Sequence, residues 1–182
     1  KKLDQELRQK YRKPSGQWKL WCKRPKSEKE REEVMTGAIL TQRTNWKNVE
    51  LTTCNLKRTK VKRLKDIYRI GEKNLALLIK PSGFYRAKAH YLFGLVKFVI
   101  ENYKNVERMR KEETKVLREK LLKLKGIGPE TADSILLYAL DKRVFVVEEY
   151  TKRLVQKYNL AERTNYQFLQ KLFEENLKKD FR

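Results

Sequence analysis

The sequence predicts an all-α fold, and three observations carry that prediction. Glycine and proline are scarce, 7 and 4 residues among 182, so long helices with short connections are expected. Apolar residues recur at near-helical spacing through much of the chain. Within Leu124–Leu140, LKGIGPETADSILLYAL, a tight glycine turn and a proline join two such segments.

The elements follow in order. Leu3–Tyr11 reads as a short helix, and Lys13–Lys26, with two prolines, Gly16, Trp18 and Trp21, as an irregular aromatic-rich loop. Ser27 is a good N-cap, and Glu30 three residues on completes a capping box. The helix it opens is expected over Glu28–Thr41, with Val34, Ala38 and Leu40 inward. Trp46–Leu56 carries Val49, Leu51 and Leu56 at helical spacing. Leu64–Ile70 is a short helix ended by Gly71, and Asn74–Ile79 another stopped by Pro81. Gly83 opens a turn into a long apolar helix, Ala87–Glu101. Thr114–Leu124 and Thr131–Leu140 flank the glycine turn. Val144–Val147 is extended, and Tyr150–Tyr158 and Tyr166–Leu177 are amphipathic helices.

Charge narrows the partner. Lys and Arg number 45 against 23 Asp and Glu, a net +22. An excess that large in a folded domain suits a polyanion, because each neutralised phosphate releases counterions. Lysine-rich solvated faces would also supply such a charge. An anionic membrane surface fits less well, since no helix pairs a cationic face with a broad apolar one.

Cysteine and histidine usage excludes further classes. Cys22 and Cys54 form no CxxC, and His90 is the single histidine, so side chains of this chain cannot build a Cys-ligated zinc site or an iron–sulfur cluster. The same usage argues against a secreted disulfide scaffold. No apolar run reaches the roughly 18 residues of a membrane span, and KKLDQELRQKY has no apolar signal core. The expectation is a cytoplasmic, nucleoid-associated protein.

The glycine turn carries the chemistry. A helix, a G-x-G turn and a second helix make a helix-hairpin-helix. Gly126 and Gly128 allow a sharp bend and close approach to another surface. Pro129 suits the first turn of the next helix. The outward amides there, with Lys123 and Lys125 alongside, fit a DNA phosphate. Downstream, VFVVEEYTKRL hands an apolar run to adjacent carboxylates, Glu148 and Glu149. On their own these read as ordinary first-turn helix acids.

From Gly37 to about Leu177 the chain resembles the helix-hairpin-helix DNA glycosylases of the endonuclease III superfamily, most closely the monofunctional 3-methyladenine glycosylase branch. The resemblance rests on the L-x-G-I-G hairpin, on a carboxylate 22 residues after the first hairpin glycine, and on GAILTQRTNW, Gly37–Trp46. It implies two helical lobes with a DNA-binding cleft between them. Residues 33–136 would form the bundle ending in the hairpin, and 1–32 plus 137–182 the second lobe.

The same resemblance implies roles for single residues. The family's catalytic Asp falls on Glu148, one methylene longer. The lysine of the strand-cutting members falls on Glu130, which cannot form a Schiff base, so water rather than an amine would attack. Gln42 would fill the gap left by an everted base, and Trp46, with Trp18 or Trp21, would sandwich that base. Gly126, Gly128, Lys125, Thr131, Lys152 and Arg153 would hold the strand, and Ser82, Gly83 and Arg86 could reach phosphates. His90 is expected to be structural.

The implied activity is release of a damaged base, an alkylated purine first and a deaminated base such as uracil or hypoxanthine second. A binding module without chemistry is the other reading, because Glu148 departs from Asp. The expected partner is double-stranded DNA bearing a damaged base, bound by a monomer. No cofactor is expected beyond a monovalent cation at the hairpin.

Overall fold

The computed structural model describes residues 5–6, 9–10, 15–16 and 18–177. The helix expected over Leu3–Tyr11 falls largely outside them. Every regular element among the described residues is helical. They are α1 (Trp18–Trp21), α2 (Glu28–Leu40), α3 (Trp46–Arg58), α4 (Leu64–Leu78), a 3-10 turn (Lys80–Ser82), α5 (Tyr85–Tyr103) and α6 (Val106–Met109). After these come α7 (Thr114–Leu122), α8 (Pro129–Ser134) running into a π-turn (Ile135–Ala139), α9 (Glu149–Lys157) and α10 (Tyr166–Asn176).

Local chemistry starts and stops these helices. The Ser27 hydroxyl caps α2 while the Glu30 carboxylate accepts the Ser27 amide at 2.8 Å, which is the expected capping box. Asn45 and Asn165 cap α3 and α10 through their side-chain oxygens. Gly71 does not end α4 but kinks it, at φ +75° and ψ 168°. The loop expected over Lys13–Lys26 contains one helical turn, α1, built on the two tryptophans.

Two apolar clusters organise the chain. The larger holds Val34, Met35, Ile39 and Leu40 of α2 with Leu92, Leu95 and Val99 of α5, and extends to Leu117, Ile135 and Leu136. Burying such side chains stabilises by about 1.5–3 kcal/mol each. The smaller comprises Val147, Val155 and Leu169, with Phe145 and Phe173 stacked at 4.5 Å. Of the segments assigned to a second lobe, Trp18 to Trp21 and Tyr138 to Leu140 pack on the larger cluster. Residues from Phe145 onward build the smaller one. Between the clusters, residues 141–148 run as irregular chain, with the extended Val144–Val147 pairing to no other strand among the described residues.

Candidate active site

The hairpin sets the geometry. Gly126 adopts φ +79°, and a Cβ there would lie 2.2 Å from the Tyr91 ring. The first glycine therefore meets two demands at once, a left-handed backbone and the close approach of an α5 ring. Gly128 differs: it is extended, φ −87° and ψ 178°, and a Cβ would meet nothing within 4 Å. Its backbone faces open cleft at the N-cap of α8, with Pro129 in the first turn. Of the two glycines only the second therefore has open space where a side chain would stand. Lys125 beside it is exposed.

Gln42 follows α2 and reaches this turn. Its amide nitrogen donates to the Gly126 carbonyl at 2.9 Å and to the Thr131 hydroxyl at 3.1 Å. Both amide hydrogens are thereby engaged at the hairpin. Thr131 faces Gln42.

A pocket of about 270 Å³ brings together Gln42, Trp18, Trp21, Trp46, Glu130 and Glu148. The aromatic wall is layered. Trp21 is buried, set edge-on to Trp18 at 5.8 Å, and both contact Tyr138 at 5.4 and 5.8 Å. Gly37 permits this, since a Cβ there would stand 3.1 Å from the Trp21 ring. Trp18 and Trp46 are half-buried, and the Trp46 indole N–H donates to Glu50 at 2.9 Å.

The two adjacent acids part company. Glu148 is half-buried in the pocket, and its carboxyl is held above the usual range, first by burial and then by the charge of Glu130. Its backbone N–H donates to the Thr151 hydroxyl at 3.2 Å, fixing the entry to α9. Glu149 lies outside and pairs with Lys152 at 3.6 Å and Arg153 at 3.9 Å. The two expected strand clamps therefore already share an acid. Burial also raises Glu130, with Lys152 opposing. Tyr138 stays protonated because of burial and the nearby Glu148 charge.

The sequence assigns no role to Phe84 or Lys88. Phe84 is 69% exposed at a strained φ of +45°, and with Gln42, Arg43 and Gly128 it lines a second cavity of about 650 Å³. Lys88, fully buried, donates to the Leu40 carbonyl at 2.8 Å and the Ser82 carbonyl at 2.6 Å. It thereby joins the chain leading to Gln42 with that leading to Phe84, and burial drops its pKa to about 8. Ser82 does not reach outward, since its buried hydroxyl donates to the Ile79 carbonyl at 2.7 Å. His90 sits on the exposed side of α5 and pairs with Glu72 at 3.1 Å. Among the described residues no group of three His, Cys, Asp or Glu side chains is placed to hold a metal ion. None of their helices is long and apolar enough to cross a membrane.

Comparison with known proteins places this geometry. Residues 36–179 match the HhH-GPD superfamily base excision DNA repair protein model. A Methanocaldococcus jannaschii protein named as a DNA repair glycosylase is 48% identical over 153 residues, covering 82% of this chain and 70% of that one. The structure of the H. pylori 3-methyladenine DNA glycosylase MagIII, bound to 1,N6-ethenoadenine, superposes with a TM-score of 0.77 at 35% identity. That alignment covers 96% of this chain and 78% of MagIII. A non-covalent endonuclease III–DNA complex shares the fold at a TM-score of 0.74 and 18% identity, over 96% and 75% of the two chains.

Proposed function

The chain belongs to the HhH-GPD superfamily of base excision DNA repair proteins, and from that premise we propose a monofunctional DNA N-glycosylase that excises an alkylated purine such as 3-methyladenine. The observation that carries the proposal is the pocket itself, where aromatic rings and two carboxylates face one cavity. Flat rings attract a cationic methylated purine by stacking and cation–π contact. Two acids held close together favour a positive ligand over a neutral one.

The chemistry uses Glu148. As the bond between base and C1′ breaks, its electrons leave with the base and positive charge builds on the sugar, as in glycoside hydrolysis. The Glu148 carboxylate stabilises that charge in a partly dry site and takes a proton from the water that adds to C1′. Glu130 occupies the place of an attacking amine and has none to offer, so the product is an intact strand with an abasic site.

Duplex recognition draws on the hairpin and the cleft. The Gly128 backbone faces a phosphate, while Phe84, exposed and strained, wedges the stack beside Gln42 as the base everts. DNA is the partner, and the protein acts as a monomer without a bound cofactor.

The test is base release from duplexes carrying 3-methyladenine, 7-methylguanine, hypoxanthine, uracil or 8-oxoguanine. Preferential release of a methylated purine, with strand cleavage only after alkali, is expected. Preference for uracil or hypoxanthine would move the substrate to deaminated bases. Binding without release from any duplex would leave a DNA-holding module.

A further inference from the structure

We propose that Tyr166 and Gln170 of α10, anchored on Asp133 of α8, are positioning residues that aim Glu148 at the sugar. This rests on the glycosylase reading above and adds the device that sets where the acid points.

The chain leading to Glu148, residues 141–147, has no secondary structure of its own, and Glu148 itself is the N-cap of α9, its amide tied to the Thr151 hydroxyl. Glu148 acts only if its carboxylate is held still, and one face of α10 holds the chain that delivers it. The Phe145 amide donates to the Glu174 carboxylate at 2.8 Å, the Phe145 carbonyl accepts from the Gln170 amide at 2.8 Å, and the Val147 amide donates to the Tyr166 hydroxyl at 3.4 Å. Residues 166, 170 and 174 are four apart, so all three rise from one stripe of α10. They grip the chain at positions 145 and 147, immediately before the acid.

That stripe is itself fixed to the hairpin. Asp133 is fully buried and accepts four hydrogen bonds: from Arg118 at 2.7 and 2.9 Å, from the Tyr166 hydroxyl at 2.8 Å, and from the Gln170 amide at 2.8 Å. A buried carboxylate is tolerated when its lone pairs are filled and a cation opposes it, and here both conditions hold. Burial and Asp133 together keep the Tyr166 phenol protonated, so it serves as a donor to Asp133 and an acceptor from Val147. Asp133 lies two residues beyond Thr131 in the helix that opens at Gly128. The chain of contacts therefore runs from the phosphate-facing turn, through Asp133 and α10, to Glu148. A strand seated on the hairpin and the acid beside its sugar share one rigid frame.

Displacing a catalytic group by about 1 Å costs on the order of 10²-fold in rate. The experiment compares wild type with Tyr166→Phe, Gln170→Met and the outward-facing control Lys171→Ala. The substrate is duplex DNA methylated with radiolabelled dimethyl sulfate, and single-turnover release, duplex affinity and thermal melting are recorded. Both α10 variants should lose roughly 10- to 100-fold in single-turnover rate, with affinity within about 3-fold of wild type and the control unchanged. In a Glu148→Gln background the Tyr166→Phe loss should vanish, because a positioning residue has nothing left to aim. Rates that fall only in step with the folded fraction, or a full Tyr166→Phe loss persisting without Glu148, would overturn the proposal. A wild-type protein that releases no methylpurine overturns the alkylpurine reading on which this inference rests. An active wild type silenced by Glu148→Gln but indifferent to both α10 variants overturns this inference alone.

Discussion

The hairpin and the chain that carries Glu148 are built on opposite principles. The hairpin is mainly local: Gly126, Gly128 and Pro129 specify turn, exit and helix start within four residues, while from outside the Tyr91 ring packs on Gly126 and Gln42 bonds its carbonyl. Residues 145–147, which deliver Glu148 to the N-cap of α9, are specified from elsewhere, by Tyr166, Gln170 and Glu174 and by Asp133 behind them. Grip can be encoded by a short motif, because a phosphate needs only a few outward amides. Aim cannot, because the acid must meet a sugar whose position depends on the grip.

The strongest way to break that comparison is to remove the acid and leave the grip. Glu148→Gln should lower single-turnover base release by about 10³-fold, within the range of a lost acid–base group. Duplex affinity by fluorescence anisotropy should change by no more than about 3-fold, since the hairpin is untouched. Comparable losses in both measurements would mean that Glu148 serves binding.

The converse experiment strikes the hairpin. Gly126→Ala must leave the left-handed region and displace the Tyr91 ring, so a loss of about 3 kcal/mol in urea unfolding is expected. Gly128→Ala should cost less than about 1 kcal/mol, because open space surrounds it. It should nonetheless weaken DNA binding where a methyl intrudes between backbone and phosphate. Equal destabilisation by the two changes would undo the division of labour between the glycines.

A smaller effect is expected at the wedge. Phe84→Ala removes about 1–3 kcal/mol of stacking, so affinity for a lesion duplex should fall roughly 10-fold with melting temperature preserved. Affinity equal to wild type would remove Phe84 from the interface.

The gentlest probe links the two regions. Activity needs ionised Glu148, whose pKa lies above the ordinary range. Release should therefore be low in acid and rise with pH through that raised value. Glu130→Gln removes the lesser of the two causes, leaving burial, so the acid limb should move to lower pH. A limb that moves upward, or not at all, would separate the hairpin helix electrically from the acid.

Much of this was legible in residue order where the governing interaction is short-range. Ser27 and Glu30 announce α2 because a capping box closes within four residues. The tryptophan-rich stretch and Glu148 announce a site, and they do meet in one pocket. Legibility failed where backbone or distant partners decide. Gly71 kinks a helix instead of ending it, and Ile67 before it and Leu75 after it are buried in the same core. Gln42 is expected from the resemblance to fill the gap left by an everted base, and nothing in the sequence shows that its amide is bound to the hairpin 84 and 89 residues away. His90, on an apolar-looking helix, lies on the exposed face beside Glu72.

By itself the order of residues determined the helical class, the hairpin and the excess charge, because capping, glycine conformation and Coulomb attraction to phosphate act locally or in bulk. Which glycine stays open, which of two neighbouring acids enters the pocket, and what holds it there were decided only by tertiary structure. Hydrogen bonds spanning 15 to 37 residues around a buried carboxylate leave no periodic trace in the chain.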